Sequence, residues 1–199
     1  MKILNIAAGK MKPLDCQFDN ELTRRFPKHI VNVDTSYYNY MNPSNLENEV
    51  EKGLKLGDIK EWFLNTDIFT FMENTRIIFD RVIIYRFLEH VSFTQVNYFL
   101  YLASTVLKKD GIIDIIVPNY EILAEMILKE KINKDFEAHN ILLTTELLNE
   151  PSCPHASIWT PKRAYYFVEL EGRFKIEALH QKFEFDGRDI YLRFLARRL

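Results

Sequence analysis

The pattern of apolar and polar residues is most regular across residues 79–119. Two nearly uninterrupted β-branched runs, at residues 82–84 and 112–117, are typical of strands covered on both faces. Between them, Ser92 and Gln95 form a capping-box pattern. The apolar residues that follow recur with the period of a helix, and they are Val96, Phe99, Leu100, Ala103, Val106 and Leu107. The sequence therefore predicts a strand, a helix and a second strand, with the two strands side by side and parallel.

The ends of these elements indicate where a ligand would bind. Lys108 and Lys109 follow the helical stripe, where positive charge suits the negative end of the helix dipole, and Gly111 comes where the chain must turn back. Ligands in such sheets bind beyond the carboxyl ends of the strands. We therefore expect ligand-binding residues in the loops at residues 85–91 and 118–120.

Two shorter apolar runs near the amino terminus predict further strands of the same sheet. The first run covers residues 1–8 and is followed by Gly9, and the second covers residues 29–33 and is followed by Asp34. Two strands of which the second ends in an acid are typical of the mononucleotide-binding half of a Rossmann-like sheet, where the acid accepts hydrogen bonds from ribose hydroxyls. Residues 58–64 are expected to form another turn.

The carboxyl-terminal part of the chain has clear start and stop signals. A Thr-Pro pair at residues 160–161 suits the N-cap and first position of a helix, and Gly172 suits its end. Two strand-like runs follow, at residues 174–185 and 189–197, with an Asp-Gly pair between them. We therefore predict a helix and then an antiparallel hairpin.

Composition narrows the class of protein. The chain has 199 residues, of which 47% are hydrophobic, so it is long enough for one compact domain with a substantial core. The formal net charge of -2 does not indicate a broad electrostatic grip on nucleic acid. Local basic groups, such as Arg193, Arg197 and Arg198, are interpreted as solvated faces.

The compartment is inferred from the cysteines and from the amino terminus. Cys16 and Cys153 have no metal-ligand spacing and indicate neither a disulfide framework nor a metal site. The amino-terminal apolar stretch is too short for a signal peptide, and no run approaches the roughly 20 residues of a membrane span. We therefore expect a cytoplasmic protein with no membrane partner.

Residues 79–91 and 106–119, FDRVIIYRFLEHV and VLKKDGIIDIIVPN, resemble the fourth strand, the following helix and the fifth strand of class I S-adenosylmethionine-dependent methyltransferases. The resemblance implies a single domain over residues 1–199. Its fold would be α/β, a Rossmann-like three-layer sandwich whose mostly parallel seven-stranded sheet carries a carboxyl-terminal antiparallel hairpin. The implied cofactor is S-adenosyl-L-methionine.

The glycine motif of that family is altered in this chain. Residues 4–11, LNIAAGKM, stand where the family usually has LDxGCGxG, so Gly9 remains while Asn5 replaces the acid and Met11 replaces a glycine. Residues 31–34, VNVD, closely match the NVD of one subgroup. By this resemblance the cofactor-binding residues are Ala7, Ala8, Gly9, Lys10, Asp34, Thr35, Asp67, Ile68, Tyr85 and Arg86. By the same resemblance, Asp67 accepts a hydrogen bond from the adenine amino group. The alternative is that Asp67 caps the start of a helix.

Methyl transfer from a sulfonium needs positioning of the acceptor above all, and a base only where the acceptor must lose a proton. His90, at the end of the fourth strand, is the candidate base, and Glu89 is expected to hold the loop through backbone hydrogen bonds. The alternative is that both residues only order this turn.

Residues 120–160 are a candidate substrate-side lid, because a long proline-broken passage in a compact domain is usually functional or mobile. His155 and Trp159 are its candidate acceptor contacts. The alternative for His155 is an ordinary loop histidine with no role in binding.

Two functions remain open at this point. The first is an active methyltransferase with an unidentified acceptor. The second is a non-catalytic member that keeps the fold as a binding or interaction module, which the missing glycines and Asn5 motivate. The acceptor itself cannot be identified from a fold.

Overall fold

The structure is a computed structural model that describes residues 1–6, 29–33, 60–64, 66–129, 156–185 and 188–199. Its strands are β1 (Lys2–Ile6), β2 (His29–Val33), β3 (Lys60–Leu64), β4 (Phe79–Tyr85), β5 (Leu107–Pro118), β6 (Phe174–Phe185) and β7 (Arg188–Arg198). Its helices within these ranges are α1 (Ile68–Asn74), α2 (Phe93–Val106), α3 (Tyr120–Leu128) and α4 (Pro161–Glu169). A 3-10 turn, Leu88–His90, follows β4. Among the residues described, no helix is long and apolar enough to cross a membrane.

These strands hydrogen-bond in one mixed sheet, in the order β3-β2-β1-β4-β5-β7-β6. β1 is parallel to both β2 and β4, β2 is parallel to β3, and β4 is parallel to β5. β7 is antiparallel to β5 and to β6, because β6 and β7 form a hairpin whose second strand adds to β5. An α/β fold with a mixed sheet is therefore confirmed.

The predicted unit of β4, α2 and β5 is confirmed. Ser92 Oγ accepts a hydrogen bond from the backbone N–H of Gln95 at 3.3 Å, and the Gln95 side chain accepts one from the backbone N–H of Ser92 at 2.9 Å. This capping box satisfies two donors that the start of a helix would leave unpaired. The whole predicted apolar stripe is buried, and β4 and β5 are parallel neighbours with Ile83 opposite Asp114.

The end of α2 differs from the prediction. Because α2 and β5 are contiguous, the two lysines lie in the strand rather than in the last helical turn. Asp110, not Gly111, takes the left-handed backbone conformation, with φ 62°. A Cβ on Gly111 would lie 2.8 Å from the carbonyl oxygen of Lys108 and 3.2 Å from that of Asp80. The close approach of two backbones therefore accounts for this glycine.

Residues 60–64 form strand β3, although the sequence predicts a turn there. β3 pairs with β2 in parallel over its whole length, from His29 opposite Lys60 to Val33 opposite Leu64. Strand formation at a sheet edge depends on the N–H and C=O groups that a neighbouring strand offers, which a local sequence pattern does not contain. The prediction of a turn is wrong for this reason.

Apolar side chains are buried on both faces of the sheet. The main core lies on the face covered by α1, α2 and α4, and its strand residues include Val82, Ile84, Ile113, Ile115 and Phe194. On the opposite face, Ile116 packs with Leu123 of α3 and with Tyr191 of β7. Successive residues of the central strands therefore point to two buried faces, as the β-branched runs predict.

The carboxyl-terminal helix and hairpin are confirmed. Thr160 is the N-cap of α4, where its hydroxyl accepts a hydrogen bond from the backbone N–H of Arg163 at 3.2 Å, and Pro161 is the first helical residue. Gly172 follows the helix with φ 65°, a conformation that favours glycine. β6 and β7 pair in antiparallel fashion, while the Asp-Gly pair at residues 186–187 lies outside the described residues.

A buried ion-pair cluster joins β4, β5 and β7. Asp114 has no exposed surface, and it accepts hydrogen bonds from Arg81 Nη2 at 2.5 Å and from Arg193 Nε at 3.0 Å and Nη2 at 2.8 Å. The Tyr85 hydroxyl donates to the same carboxylate at 3.3 Å. The interpretation of Arg193 as part of a solvated face is therefore wrong, because strand alternation places it on the side of the sheet that carries Asp114.

Candidate functional site

Parallel pairing brings the carboxyl ends of five strands, β1 to β5, to one edge of the sheet, where α/β proteins bind ligands. This edge, called the crevice here, consists of Ile6, Val33, Tyr85 and Pro118 at the ends of β1, β2, β4 and β5 and of the described residues that follow β4 and β5. Several of the predicted site residues lie outside the described residues, namely Ala7, Ala8, Gly9, Lys10, Asp34, Thr35 and His155.

A pair of buried amides joins β1 to β2 beside the crevice. Asn5 Nδ2 donates a hydrogen bond to Asn32 Oδ1 at 2.8 Å, and the two residues lie opposite each other in the parallel ladder. Both are buried, so the bond satisfies polar atoms that water does not reach. Asn5 stands where the resembling family usually has an acid. Here that position adds no negative charge, and its amide holds two strand ends together.

The turn after β4 begins with an unusual backbone conformation at Arg86, whose φ is 56°. Its backbone N–H donates to the Ile116 carbonyl at 2.8 Å, so the ladder between β4 and β5 extends one residue beyond β4. A left-handed conformation costs a residue other than glycine about 1–2 kcal/mol, and such strain recurs at ligand sites. The Tyr85 hydroxyl is directed at Asp114, away from the end of the strand.

Glu89 lies in this turn with its side chain fully buried. Within the part of the chain that the structure describes, neither carboxyl oxygen has a hydrogen-bond partner. Burial raises the pKa of Glu89 to about 8, and the nearby backbone amide of Glu89 itself and the positive charge of Arg86 oppose this rise without cancelling it. At neutral pH the group is therefore mostly a neutral carboxylic acid, which can donate a hydrogen bond or a proton.

His90, the predicted base, follows Glu89 at the end of the turn. About a quarter of its side chain is exposed (28%), and its Nε2 lies 3.9 Å from Glu89 Oε1. The backbone N–H of His90 donates to the Phe87 carbonyl at 3.0 Å, which closes the turn. The structure thus places a buried acid and an accessible imidazole side by side after β4.

Residues 156–159 are fixed to this turn by hydrogen bonds. The backbone N–H groups of Ala156 and Ser157 both donate to the Glu89 carbonyl, at 2.7 and 3.0 Å. Ser157 Oγ donates to the Leu88 carbonyl at 2.7 Å. Glu89 does hold the loop through backbone hydrogen bonds, as expected, but it does so with its carbonyl oxygen. Its carboxyl group takes no part in this anchoring.

The Trp159 side chain lies in the protein interior. The indole has no exposed surface, and its Nε1 donates to Ser157 Oγ at 3.0 Å. Its ring centroid is 6.0 Å from that of Phe194 in β7 and 6.0 Å from that of Phe93 in α2. This placement does not fit the expectation that Trp159 faces an acceptor. A large aromatic side chain such as that of Trp159 is more often buried in a core than exposed in a loop. The prolines near Trp159 in the sequence suggested a loop and did not indicate this burial.

The predicted adenine contacts lie at the start of α1. Asp67 is exposed and is the N-cap of α1, where its Oδ1 accepts a hydrogen bond from the Thr70 N–H at 2.9 Å. Ile68 is buried in the main core. The helix-cap alternative is confirmed, while the adenine contact stays a prediction. α1 lies beside the turn after β4, because the rings of Phe69 and Phe87 are 6.5 Å apart.

α3 starts at the crevice directly after β5. The Asn119 side chain donates to the Gln181 carbonyl at 2.5 Å, which ties this point to β6. The backbone N–H of Tyr120 donates to the Trp159 carbonyl at 3.0 Å. Burial, together with the negative charge that Glu89 carries when ionised, raises the pKa of the Tyr120 phenol to about 12. The phenol is therefore a protonated neighbour of the Glu89 side chain.

Sequence reasoning identified the turn after β4 but missed the state of the Glu89 carboxyl. The turn that carries this carboxyl is bonded to Ala156 and Ser157, which are distant in the chain. One signal was available in the sequence. An acid placed directly after Phe87 and Leu88, in a loop that leaves a buried strand, is a candidate for burial.

Several solved structures with a similar fold are methyltransferases. An S-adenosylmethionine-dependent methyltransferase from Methanosarcina mazei has a TM-score of 0.56 at 14% identity, covering 100% of this chain and 92% of that one. One from Archaeoglobus fulgidus has a TM-score of 0.56 at 14% identity, with coverages of 99% and 86%. The N-methyltransferase NodS from Bradyrhizobium japonicum, in complex with S-adenosyl-L-homocysteine, has a TM-score of 0.52 at 13% identity, with coverages of 100% and 78%.

No protein-family model and no curated protein sequence matches the chain. At identities this low, similarity of structure shows the fold alone. The mixed sheet, the β6–β7 hairpin and the similar structures agree with the resemblance of residues 79–119. The chain therefore has the fold of the class I S-adenosylmethionine-dependent methyltransferases.

Proposed function

We propose that this protein is an S-adenosylmethionine-dependent methyltransferase that acts on an unidentified acceptor. The observation that carries the proposal is the turn after β4. It places the buried Glu89 acid and the accessible His90 imidazole together at the edge of the sheet where this fold binds ligands. An acid and an imidazole in different environments are suited to proton transfer.

The residues of the crevice fit a cofactor with positive charge. S-adenosylmethionine carries a sulfonium and an ammonium group, and the buried Glu89 carboxyl lacks a hydrogen-bond partner among the described residues. Asp67 and Ile68 are proposed to meet the adenine. The remaining contacts are proposed for Ala7, Ala8, Gly9, Lys10, Asp34, Thr35, Tyr85 and Arg86.

The bound cofactor would supply an electrophilic methyl group. The protein would hold the acceptor in line with that methyl group, exclude water and take up the acceptor's proton where one must leave. His90 is the proposed base, because its imidazole is accessible and imidazoles titrate near neutral pH.

Residues 120–160 are proposed as the acceptor-side cover of a single domain that spans residues 1–199. Both ends of this segment are fixed at the crevice, since Tyr120 is bonded to Trp159 and Ala156 is bonded to Glu89. His155 immediately precedes that anchor, and it is the residue of the segment that we propose on the acceptor side.

Calorimetric titration with S-adenosylhomocysteine tests the proposal. We expect binding, and we expect Asp34→Ala to weaken it at least tenfold, because each lost charge-assisted hydrogen bond to the ribose is worth about 1.5–3 kcal/mol. Asp189→Ala removes an exposed carboxylate of β7 that pairs with Lys182, and it should leave the affinity unchanged. No heat of binding, together with no thermal shift at millimolar ligand, would contradict the proposal.

The alternative is a non-catalytic interaction module with the same fold. The neutral amide pair of Asn5 and Asn32, at a position where the resembling family has an acid, favours this alternative. Ligand binding separates the two functions, since a module without catalysis has no need to bind the cofactor.

A further inference from the structure

Glu89 carries a buried, unsatisfied carboxyl group in the turn that follows β4 at the crevice edge of the sheet. Its carbonyl oxygen is used by the N–H groups of Ala156 and Ser157, whereas both carboxyl oxygens are buried and have no hydrogen bond from the described residues. Leaving such a group unpaired costs about 1–3 kcal/mol. Proteins satisfy most buried polar groups, so one that stays unsatisfied calls for an explanation.

The nearby backbone amide of Glu89 itself favours the ionised carboxyl but lies outside hydrogen-bond geometry. The other groups around the Glu89 carboxyl do not supply a hydrogen bond either. On the same turn, Arg86 contributes positive charge, and His90 Nε2 is 3.9 Å away, beyond hydrogen-bond distance. From α3, the neighbouring group is the phenol of Tyr120. From residues 156–157, the backbone amides are already bonded to the Glu89 carbonyl. The carboxyl is therefore positioned for a donor that the described residues do not provide.

We propose that Glu89 binds an ammonium group of a ligand in the crevice. An ammonium carries three donors and a positive charge, so one such group can satisfy both carboxyl oxygens and neutralise the charge on them. This inference rests on the proposed function and names the partner of one site residue. Two sources share this chemistry, namely the amino-acid part of the cofactor and an amine acceptor.

Binding of an ammonium would release a proton from the protein. Burial raises the pKa of Glu89 to about 8, so at pH 7 the group is about nine-tenths protonated before the ligand arrives. An adjacent positive charge favours the carboxylate, so the carboxylic proton passes to the buffer as the ion pair forms. Nearly one proton should therefore leave for each ligand bound. Between pH 6 and 7 the affinity should rise about tenfold, because the cost of ionising Glu89 falls with each pH unit.

Calorimetry at pH 7 in buffers of different ionisation enthalpy counts these protons, and three ligands identify the source. Methylthioadenosine has no ammonium, and we expect it to release no proton. S-adenosylhomocysteine carries only the amino-acid ammonium, and it should release nearly one proton if Glu89 faces that part of the cofactor. Sinefungin has an additional amine in place of the methyl group. If Glu89 faces the acceptor, sinefungin alone should release the proton.

Three variants assign the proton to Glu89. Glu89→Gln keeps the size of the side chain, and it should abolish the proton release and weaken the ammonium-bearing ligand at least tenfold, while the affinity for methylthioadenosine stays the same. Glu125→Gln alters an exposed carboxylate of α3 that pairs with Lys129, and it should change neither quantity. His90→Gln should retain the proton release, because the imidazole is not its source.

The wild-type proton count needs no variant, so it decides the question even if Glu89→Gln fails to fold. Binding without proton release by either ammonium-bearing ligand would overturn the assignment of Glu89 and leave the proposed function standing. Equal release with methylthioadenosine would also overturn it, because that ligand has no ammonium. If none of the three ligands binds, the proposed function fails and the assignment of Glu89 fails with it.

Discussion

Replacing Asp114 with asparagine tests whether the buried ion-pair cluster stabilises the sheet. The carboxylate has no exposed surface, and it accepts three hydrogen bonds from the guanidinium groups of Arg81 and Arg193 and one from the hydroxyl of Tyr85. Asparagine has nearly the same shape but no charge. The substitution therefore leaves two buried guanidinium groups without the negative charge that lies between them.

The expected loss follows from the burial of this cluster. Removing one partner of a buried ion pair typically costs about 3–5 kcal/mol, because the remaining charge stays buried and loses the attraction that offset the cost of its burial. For a chain of about this length, each kcal/mol lowers the unfolding midpoint by about 2–4 °C. Asp114→Asn should therefore lower the midpoint by about 6–20 °C.

Urea and thermal unfolding followed by circular dichroism measure this loss. The matched control is Glu177→Gln, because Glu177 of β6 pairs with Arg197 of β7 on the surface of the β6–β7 hairpin, which also carries Arg193. Solvent screens that exposed pair, so the control should change the unfolding midpoint far less. A loss below about 1 kcal/mol in Asp114→Asn, the range of a surface pair, or an equal loss in both variants, would refute the reasoning.

Two further predictions concern stability. Gly111→Ala should lower the free energy of unfolding by about 1–3 kcal/mol, because its Cβ would lie 2.8 Å from the Lys108 carbonyl oxygen; an unchanged urea midpoint would show that the backbone moves freely there. Glu89 has a pKa of about 8 in the folded protein, against 4.5 for an unperturbed glutamate, so its contribution to stability is full below about pH 4.5 and is lost as the pH rises through 8. Glu89→Gln should remove this decline from a profile of urea midpoint against pH, and a profile identical to that of the wild type would contradict the assigned pKa.

Much of the sheet could be predicted because its determinants are local. The capping box of Ser92 and Gln95, the helical stripe after it and the two β-branched runs each lie within a few residues, and the structure reproduces them. β3 could not be predicted in this way, because its strand conformation depends on hydrogen bonds with β2. A local sequence pattern predicts an element whose conformation is stabilised by residues nearby in the chain. It does not predict an element whose conformation depends on pairing with a distant strand.

The side-chain clusters show a similar limit. Asp114 interrupts an apolar run that is covered on both faces, and this predicts that the acid needs a buried partner. The partners are 33 and 79 positions away, at Arg81 and Arg193, so the need is visible in the sequence but its solution is not. The Glu89 carboxyl is the converse case, since its burial leaves it without a partner among the described residues.

The hydrogen bond between Tyr120 and Trp159 has an evolutionary consequence. Because these residues are bonded at 3.0 Å, the chain that leaves β5 and the chain that enters α4 meet at one point. The entropic cost of closing such a loop grows by only about 0.6 kcal/mol for each doubling of its length. The part of this stretch between α3 and Ala156 can therefore change in length among descendants of this protein while β5, α4 and the Glu89 turn keep their positions. α3 itself is retained, because its Leu123 packs against Ile116.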